Sequence, residues 1–273
     1  MIAAGRVAIV TGGGRGIGLS LVELLAEQGV RLVVNDLDPE PANAAAAAAR
    51  ARGAEAIACV GSVTAPDFPD KIVAIAKETF GDAHIVVNNA GYVWNGLIHK
   101  QTDAQWDAMQ DVHLKAPFRL ARALHPLIVE RVADERAGGR PLMRKIVNVM
   151  STAATGGAVG HASYAAAKAG LYGLTRTLAK EWGPLDVNVN AVALGLIETR
   201  LTAVSTERQS ITIEGRSMPV GFRPENRDVH LTQIALQRPG TPREAAGAIA
   251  LLCSNHADYV TGQILNVDGG LSN

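Results

Sequence analysis

The sequence predicts an α/β fold in which seven strands form one doubly wound parallel sheet with helices on both faces. Short β-rich runs alternate along the chain with longer Ala/Leu-rich runs, a pattern typical of strands separated by helices. The runs at 7–10 and 85–87 are continuously apolar, as expected for strands that are buried on both faces. A glycine-rich loop follows the first strand directly, so the sheet is expected to open with a strand, a tight turn and a helix.

The predicted strands are spaced along nearly the whole chain. They cover residues 6–11, 31–35, 56–60, 85–88, 145–150, 186–193 and 264–267. The chain has 273 residues, of which 48% are hydrophobic, and this is ample for one large core. We therefore predict a single domain over residues 1–273.

Two segments interrupt this alternation of strands and helices. Residues 131–144 are charged and contain Gly138, Gly139 and Pro141, so we expect an exposed extension before the fifth strand. A solvated loop is the simpler interpretation, and contact with a carrier protein or a neighbouring subunit is the alternative. Residues 202–237 are rich in Gly and Pro, and we expect a substrate-binding loop there, because long irregular segments often act as lids.

Charge and hydropathy narrow the class of partner. The chain carries 26 basic and 26 acidic residues, which favours neither nucleic acid nor an anionic membrane surface, so we expect small-molecule partners. No stretch approaches the roughly 18 uninterrupted apolar residues of a membrane span. The N-terminal residues run directly into a strand pattern without a basic leader, and we expect a cytoplasmic protein. Cys59 and Cys253 lie in apolar surroundings and are predicted to be buried free thiols.

The glycine cluster at residues 11–18 predicts a phosphate-binding turn. It lies between the opening strand and a helical run, where glycines permit a tight turn and close backbone approach. The following helix offers free N–H groups and the positive end of its dipole to a pyrophosphate. A flexible loop is the alternative, but the position between strand and helix favours a dinucleotide site.

Asp36 lies 18 residues beyond Gly18, at the end of the second strand. This is close to the spacing of about 20 at which an acidic side chain binds the adenosine ribose hydroxyls. A carboxylate there repels a 2′-phosphate, which favours NAD, with NADP as the alternative. Arg15 argues the other way, because a guanidinium in this loop could pair with that phosphate. Asp36 and Asp38 could also simply begin a turn.

Tyr164 and Lys168 are four residues apart in a run that is expected to be helical, so both side chains project from one face. An ammonium near a phenol favours the phenolate and is expected to lower the pKa of the tyrosine toward neutrality. Such a tyrosine can act as a general acid and base. A packed ring and a solvated lysine are the common alternative for this spacing alone.

In its ordered set of motifs the chain resembles the short-chain dehydrogenase/reductase family, from about residue 6 to residue 270. The matching pieces are the loop at 11–18, the Asn-Asn-Ala-Gly turn at 88–91, Ser151 placed 13 residues before Tyr164, and Lys168. The segment 190–199 and the closing run 262–270 match as well. The resemblance implies a Rossmann-like fold and a nicotinamide dinucleotide cofactor.

The resemblance also implies roles for individual residues. Tyr164 would protonate the substrate oxygen, Lys168 would hold the nicotinamide ribose and tune the tyrosine, and Ser151 would hydrogen-bond the carbonyl. Two hydroxyl donors would stabilise the charge that grows on that oxygen. The implied cofactor-binding residues are Gly12, Gly14, Arg15, Gly16, Ile17, Gly18, Asp36, Ser62, Val63, Asn89, Ala90, Gly91, Tyr164, Lys168, Leu194, Gly195, Ile197 and Thr199.

Three positions depart from the family pattern. His113 stands where the family usually has an asparagine that links the lysine to solvent, and an imidazole that titrates near neutrality could carry the same proton relay. Support of a helix kink is the alternative role. Ser62 replaces a common aspartate beside the adenine and could still hydrogen-bond the adenine amino group. Leu194 replaces a common proline before Gly195, so this loop is expected to be less rigid.

These observations predict an oxidoreductase that interconverts a ketone and a secondary alcohol. The segments 169–202 and 262–270 look most like the 3-oxoacyl-(acyl-carrier-protein) reductase branch, so an acyl thioester is one expected substrate. A hydroxysteroid, sugar or other secondary-alcohol dehydrogenase is the alternative. A non-catalytic dinucleotide-sensing scaffold is a further alternative, although all three catalytic residues are present.

The quaternary structure and metal content complete the sequence predictions. The resemblance implies a homotetramer in which the helix bearing Tyr164 and the preceding helix pack across a two-fold axis. The apolar residues on these helices would look similar if they only packed on the sheet. We predict no catalytic metal, because the histidines at 99, 125, 161, 230 and 256 lack ligand spacing.

Overall fold

A computed structural model describes residues 1–207, 209–221 and 224–271 of the chain. It contains a seven-stranded sheet in the order β3-β2-β1-β4-β5-β6-β9, with parallel pairing throughout. The predicted doubly wound fold is confirmed. The strands are β1 (Val7–Val10), β2 (Arg31–Asp36), β3 (Ala56–Val60), β4 (Ile85–Asn88), β5 (Arg144–Ser151), β6 (Val187–Leu194), β7 (Gln209–Ile213), β8 (Arg216–Val220) and β9 (Ile264–Val267).

Helices cover both faces of the sheet. They are α1 (Gly16–Ala26), α2 (Pro39–Ala51), α3 (Phe68–Phe80), α4 (Asp103–Gln110), α5 (Ala116–Ala137), α6 (Ala153–Gly156), α7 (Ala162–Trp182), α8 (Pro224–Gln233) and α9 (Pro242–Cys253). Helices α1, α2 and α9 pack on one face, and α3, α5 and α7 pack on the other. Within β1, Ala8 and Val10 contact the first group while Ile9 contacts the second. This two-sided burial explains why the strand is continuously apolar.

The strand order reverses between β1 and β4, because the chain runs outward to β3 on one side and to β9 on the other. Ligands of open parallel sheets bind in the crevice at the carboxyl ends of the strands at such a point. The fold therefore places the loops after β1, β4 and β5 around one crevice.

Residues 133, 134 and 136–141 are exposed, as the composition of the segment 131–144 predicts, but the segment is not an irregular extension. Helix α5 continues to Ala137, and Val132 on this helix is buried. Arg144 is 1% exposed and begins β5. Ion pairs explain the difference, because Arg136 binds Asp186 at 2.8 Å and Arg144 binds Glu135 at 2.8 Å. The charges in this segment therefore hold it against the body of the protein.

The segment 202–237 also contains more regular structure than its composition predicts. Strands β7 and β8 form an antiparallel hairpin, and α8 follows it. Glu214 and Gly215 form the turn with φ values of +49° and +77°. Two successive positive φ values are typical of the hairpin turn whose twist matches that of its strands. The alternation around Ile211, Ile213 and Met218 was the signal for this hairpin in the sequence.

A charged cluster lies at the opposite, amino-terminal edge of the sheet. Asp82, His84 and Glu135 bring potential metal-ligand atoms within 4.8 Å of one another. The guanidinium of Arg144 lies 2.7 Å from Asp82 and 2.8 Å from Glu135, so a cation already balances these carboxylates. His84 also accepts a hydrogen bond from the backbone of Val7 through Nδ1. The arrangement is that of a buried ion-pair network.

Both cysteines are free and buried, as predicted. No helix within the described ranges is long and apolar enough to cross a membrane.

Candidate functional site

A cleft at the carboxyl ends of the parallel strands brings the predicted site residues together. Its walls include Gly12, Arg15, Gly16, Ile17, Gly18, Asp36, Ser62, Val63, Asn89, Ala90, Gly91, His113, Ser151, Tyr164, Lys168, Leu194, Gly195, Ile197 and Thr199. Gly14 is the one predicted site residue that does not line it.

Gly14 lies behind the wall of the cleft. Its N–H donates to Asp36 Oδ2 at 3.0 Å, and an added Cβ would lie 2.6 Å from the same oxygen. The small size of Gly14 lets the loop approach Asp36, and its N–H orients that carboxylate. Its contact with the cofactor stays a prediction.

The glycine-rich loop turns tightly into α1. A Cβ on Gly18 would overlap the carbonyl oxygen of Gly12, so only glycine permits this approach. Helix α1 begins at Gly16, its N-cap residue Arg15 makes no side-chain cap, and its first turn carries no acidic residue. The free N–H groups and the dipole at this end suit an anionic group. The loop can therefore receive a diphosphate.

The Asn-Asn-Ala-Gly turn after β4 is bound directly to this loop. The Asn89 side chain donates to the carbonyl oxygens of Thr11 and Gly12 at 2.9 and 3.0 Å. The Thr11 hydroxyl accepts from the backbone N–H groups of Asn89 and Ala90 at 3.0 and 3.1 Å. These bonds hold the two turns at a fixed distance on either side of the cleft.

Asp36 ends β2 and is 7% exposed. Its carboxylate accepts from the N–H groups of Gly14 and Asp38 at 3.0 and 3.3 Å. Arg15 lies 2.7 Å from Asp38 and 3.7 Å from Asp36. The guanidinium that could have bound a 2′-phosphate is thus already engaged with two carboxylates.

The three predicted catalytic side chains come from two elements. Ser151 ends β5, and its hydroxyl accepts from the N–H of Ala153 at 3.2 Å. Tyr164 and Lys168 project from α7, and Lys168 Nζ lies 5.8 Å from the centroid of the Tyr164 ring. Lys168 is 5% exposed and donates to the Val149 carbonyl oxygen at 2.5 Å. A phenol, a hydroxyl and an amine therefore converge at one end of the cleft.

Burial controls the protonation of these groups. It raises the pKa of Tyr164 above its ordinary value of 10.0, and a hydrogen bond with Ser151 acts in the opposite direction. Burial also lowers the pKa of Lys168 from 10.5 to about 7. The prediction that Lys168 lowers the pKa of Tyr164 is thus wrong in this structure, because desolvation outweighs the other contributions. The phenol is protonated at neutral pH and can donate its proton.

His113 lies in a π-helical turn, Asp111–Lys115, between α4 and α5. It is 3% exposed, and its Nε2 lies 2.7 Å from the Tyr92 carbonyl oxygen. A carbonyl only accepts, so Nε2 carries the proton and Nδ1 is an acceptor. Burial and the nearby Lys168 hold the pKa of His113 well below 6.5, which contradicts the expected titration near neutrality. Among the described residues Nδ1 has no hydrogen-bond partner.

Gly91 makes room for this imidazole. A Cβ on Gly91 would overlap His113 Cε1 and would lie 2.8 Å from Nδ1. The glycine of the turn after β4 therefore serves a second purpose, since it admits the ring that occupies the family's asparagine position.

Two parts of the cleft wall were not named residue by residue in the sequence predictions. Tyr92 and Val93 follow the turn after β4, and Thr212, Ile213 and Glu214 come from the hairpin β7–β8, inside the predicted substrate-binding loop 202–237. Glu214 Oε1 lies 2.5 Å from Ser62 Oγ, which also contacts Thr64 Oγ1 at 2.8 Å. The proximity of Ser62 and Glu214, separated by 152 positions, depends on tertiary folding and had no signal in the sequence.

The loop after β6 is bound by its backbone. The Gly195 N–H donates to the Val267 carbonyl oxygen at 3.0 Å, and Ile197 forms a bridge with Gly240. A Cβ on Gly195 would lie 2.6 Å from Asp268 Cβ. These contacts order the segment that carries Leu194, although it lacks the family's proline ring.

Comparisons with known proteins agree on the type of protein that this chain is similar to. A family model described as enoyl-(acyl carrier protein) reductase matches residues 12–272. The 3-oxoacyl-[acyl-carrier-protein] reductase FabG of Vibrio cholerae is 35% identical over 98% of this chain and 97% of its own length. The enzyme of the same name from Escherichia coli is 34% identical with the same coverage. A double mutant of a Serratia marcescens short-chain dehydrogenase/reductase superposes with a TM-score of 0.84 at 27% identity, over 100% of both chains.

Proposed function

The chain belongs to the short-chain dehydrogenase/reductase family and is therefore an NAD(P)-dependent oxidoreductase acting on CH–OH groups, and we propose that it reduces a 3-oxoacyl thioester with Tyr164 as the proton donor. The observation that carries this proposal is the convergence of Ser151, Tyr164 and Lys168 on the cleft that begins at the glycine-rich loop. The names of the two FabG relatives support the substrate class.

The cleft residues fit a nicotinamide dinucleotide. The open N-terminus of α1 would hold the diphosphate, and Asp36 would accept the adenosine ribose hydroxyls. When bound, this cofactor supplies or accepts the hydride. We propose NAD as the preferred form, because Asp36 would repel a 2′-phosphate and Arg15 is paired with Asp36 and Asp38. NADP remains the alternative.

Each of the three catalytic residues has a separate role in the transfer of the proton to the substrate oxygen. Tyr164, whose raised pKa keeps it protonated, would donate its proton to the substrate oxygen during reduction. Ser151 would donate a second hydrogen bond to that oxygen, and two donors stabilise the developing charge. Lys168 would hold the nicotinamide ribose. Lys168 and Tyr164 both line the cleft, with Nζ 5.8 Å from the centroid of the Tyr164 ring.

We also propose that His113 is a positioning residue that orients the Tyr164 phenol. Its ring packs edge-on against the phenol, and Nδ1 is a buried acceptor with no hydrogen-bond partner among the described residues. A neutral imidazole with one donor and one acceptor can relay a proton without becoming stably charged. Support of the π-helical turn through the Tyr92 carbonyl is the other role that these contacts permit.

A substrate panel tests the proposed reaction. Oxidation of the reduced cofactor would be followed with a short-chain 3-oxoacyl pantetheine thioester, simple ketones, a keto sugar and a ketosteroid. The proposal expects at least a tenfold higher kcat/KM for the thioester, and Tyr164→Phe serves as the inactive control. A preference for the sugar or the steroid would overturn the substrate class and leave the family in place. Cofactor binding without turnover of any substrate would favour a scaffold.

We further propose a homotetramer, on grounds that differ from the sequence expectation. Leu120, Leu124 and Leu171 are buried in the protomer, so they pack on the sheet and its neighbouring helices. The outward surface of α5 instead exposes Phe118 and Val129 at 46% and 41%. Sedimentation of the pure protein at the mass of four chains is the expected result, and a monomer would overturn the proposal.

A further inference from the structure

The hairpin β7–β8 is anchored beside the cleft. Met218 on β8 is fully buried in a cluster with Tyr92, Met109 and Val112. The guanidinium of Arg216 lies 5.5 Å from the centroid of the Trp94 ring. These contacts fix the hairpin against the residues that follow β4, so its turn has a defined position in the cleft wall.

The turn of this hairpin brings an acidic side chain to the adenosine end of the cleft. Glu214 lines the cleft together with Asp36, Ser62 and Val63. Its Oε1 accepts a hydrogen bond from Ser62 Oγ at 2.5 Å. A carboxylate offers about four lone-pair positions, so the bond from Ser62 leaves capacity for a ligand donor.

The position of Glu214 in the cleft indicates which hydrogen-bond donor of the ligand it can bind. Asp36 is placed to bind the ribose hydroxyls. The residues after β3, Gly61 to Thr64, line the part of the cleft on the side of Asp36 that is away from the diphosphate loop. A group bound beyond the ribose, away from the diphosphate loop and Tyr164, is the base of the dinucleotide. The adenine base carries one exocyclic amino group, which is a hydrogen-bond donor. A carboxylate at this place accepts from an amino group and repels an oxo group or a phosphate.

We propose that Glu214 is the adenine-recognition residue of this enzyme and accepts a hydrogen bond from the exocyclic amino group of the base. Ser62 orients the carboxylate through its hydroxyl and is a positioning residue. The inference rests on the proposed cofactor and goes beyond it, because it assigns base selectivity to a hairpin that lies outside the parallel sheet. The hairpin thereby links the base end of the cofactor with the wall beside Tyr92.

Equilibrium binding with a matched pair of cofactors tests this assignment. NADH and its hypoxanthine analogue, in which an oxo group replaces the adenine amino group, would be titrated against the full chain by nucleotide fluorescence. The wild-type protein is expected to bind NADH roughly tenfold more tightly than the analogue, which corresponds to about 1.4 kcal/mol, because only the adenine amino group can donate to Glu214. Glu214→Ala should weaken NADH binding several-fold and should raise the affinity for the analogue slightly, because the repulsion of its oxo group is lost, so that the two affinities become nearly equal.

Two further variants complete the design. Glu207→Ala removes an exposed acidic residue that lies just before the hairpin and outside the cleft wall, and it should bind both nucleotides as the wild type does. Ser62→Ala should reduce the discrimination only in part. Equal affinities of the wild type for both nucleotides, or wild-type discrimination in Glu214→Ala, would overturn the assignment while the proposed function stands. A wild-type protein that binds neither nucleotide would overturn both.

Discussion

The imidazole of His113 meets the ring of Tyr164 edge-on, with the ring centroids 4.9 Å apart and the planes at 89°. The same imidazole is bound through Nε2 to the Tyr92 carbonyl oxygen at 2.7 Å. His113 therefore connects the turn after β4, the π-helical turn and the catalytic helix through one buried side chain. Its neighbours imply that it orients the phenol and does not act as a charged base.

Replacing His113 with leucine should reduce turnover several-fold, because the variant loses the imidazole that packs against Tyr164 and leaves the buried Tyr92 carbonyl oxygen unpaired. Asparagine at this position, which keeps a donor and an acceptor, should restore part of kcat. Neither variant should change the affinity for NADH by more than about twofold. Since the pKa of His113 lies well below 6.5, no break in activity near that pH should depend on it. Wild-type turnover in His113→Leu across the neutral pH range would contradict the positioning role.

Lys168 is expected to impose a pH dependence near neutrality. Burial lowers its pKa to about 7, so the ammonium is lost as the pH rises through that value. The kcat/KM for the cofactor reports ionisations of the free enzyme. It should therefore fall as the pH rises above about 7, the pKa of Lys168. Lys168→Arg keeps a permanent charge and should show no such break. An identical break in the arginine variant would assign the ionisation to another group.

Asp36 is expected to determine the preference between NAD and NADP. Asp36→Asn keeps an acceptor for the Gly14 N–H but removes the charge that faces a 2′-phosphate. The ratio of kcat/KM for NAD to that for NADP should fall at least tenfold, which corresponds to about 1.4 kcal/mol. Asp70→Ala, an exposed change on α3, should leave the ratio unchanged. A wild-type enzyme that already prefers NADP would contradict the proposed specificity.

The parts of the fold that depend on local pattern were predictable from the sequence. Apolar runs buried on both faces marked β1 and β4, and the glycine cluster marked the turn into α1. The exposure of much of the charged run at 131–137 was expected, but its helical structure and its tertiary contacts, such as Arg136 with Asp186, were not. Sequence polarity alone does not distinguish a solvated arginine from a buried, paired one.

The catalytic end of the site was located from the ordered set of family motifs together with residue spacing, but its electrostatics could not be predicted in this way. The four-residue interval placed Tyr164 and Lys168 on one face of α7. The rise in the pKa of Tyr164, however, is caused by burial in the folded protein. In the same way, the contact of Gly14 with Asp36 could not be predicted, because Asp36 lies on another strand. The role of Glu214 follows from a hairpin whose packing on Tyr92 and Met109 is a tertiary property.

Arg144 should be important for stability, although it lies at the opposite edge of the sheet from the cleft. It is 1% exposed and is bound to Asp82 at 2.7 Å and to Glu135 at 2.8 Å. Arg144→Met would leave two carboxylates without their cation, and breaking a buried pair costs about 3–5 kcal/mol. Urea unfolding should show a loss of that size, whereas the exposed Arg140→Met should change the free energy of unfolding by less than about 0.5 kcal/mol. A loss under about 1 kcal/mol would show that solvent screens the network.

The central claim is that the Tyr164 phenol transfers the proton to the substrate oxygen. Its most direct test is a single-turnover measurement of reduced-cofactor oxidation in Tyr164→Phe, with cofactor and substrate both saturating. General-acid catalysis contributes about 10²–10⁴-fold, so the rate should fall by at least two orders of magnitude while NADH affinity stays within about twofold of wild type. A phenylalanine variant that oxidises the cofactor at the wild-type rate would contradict the account.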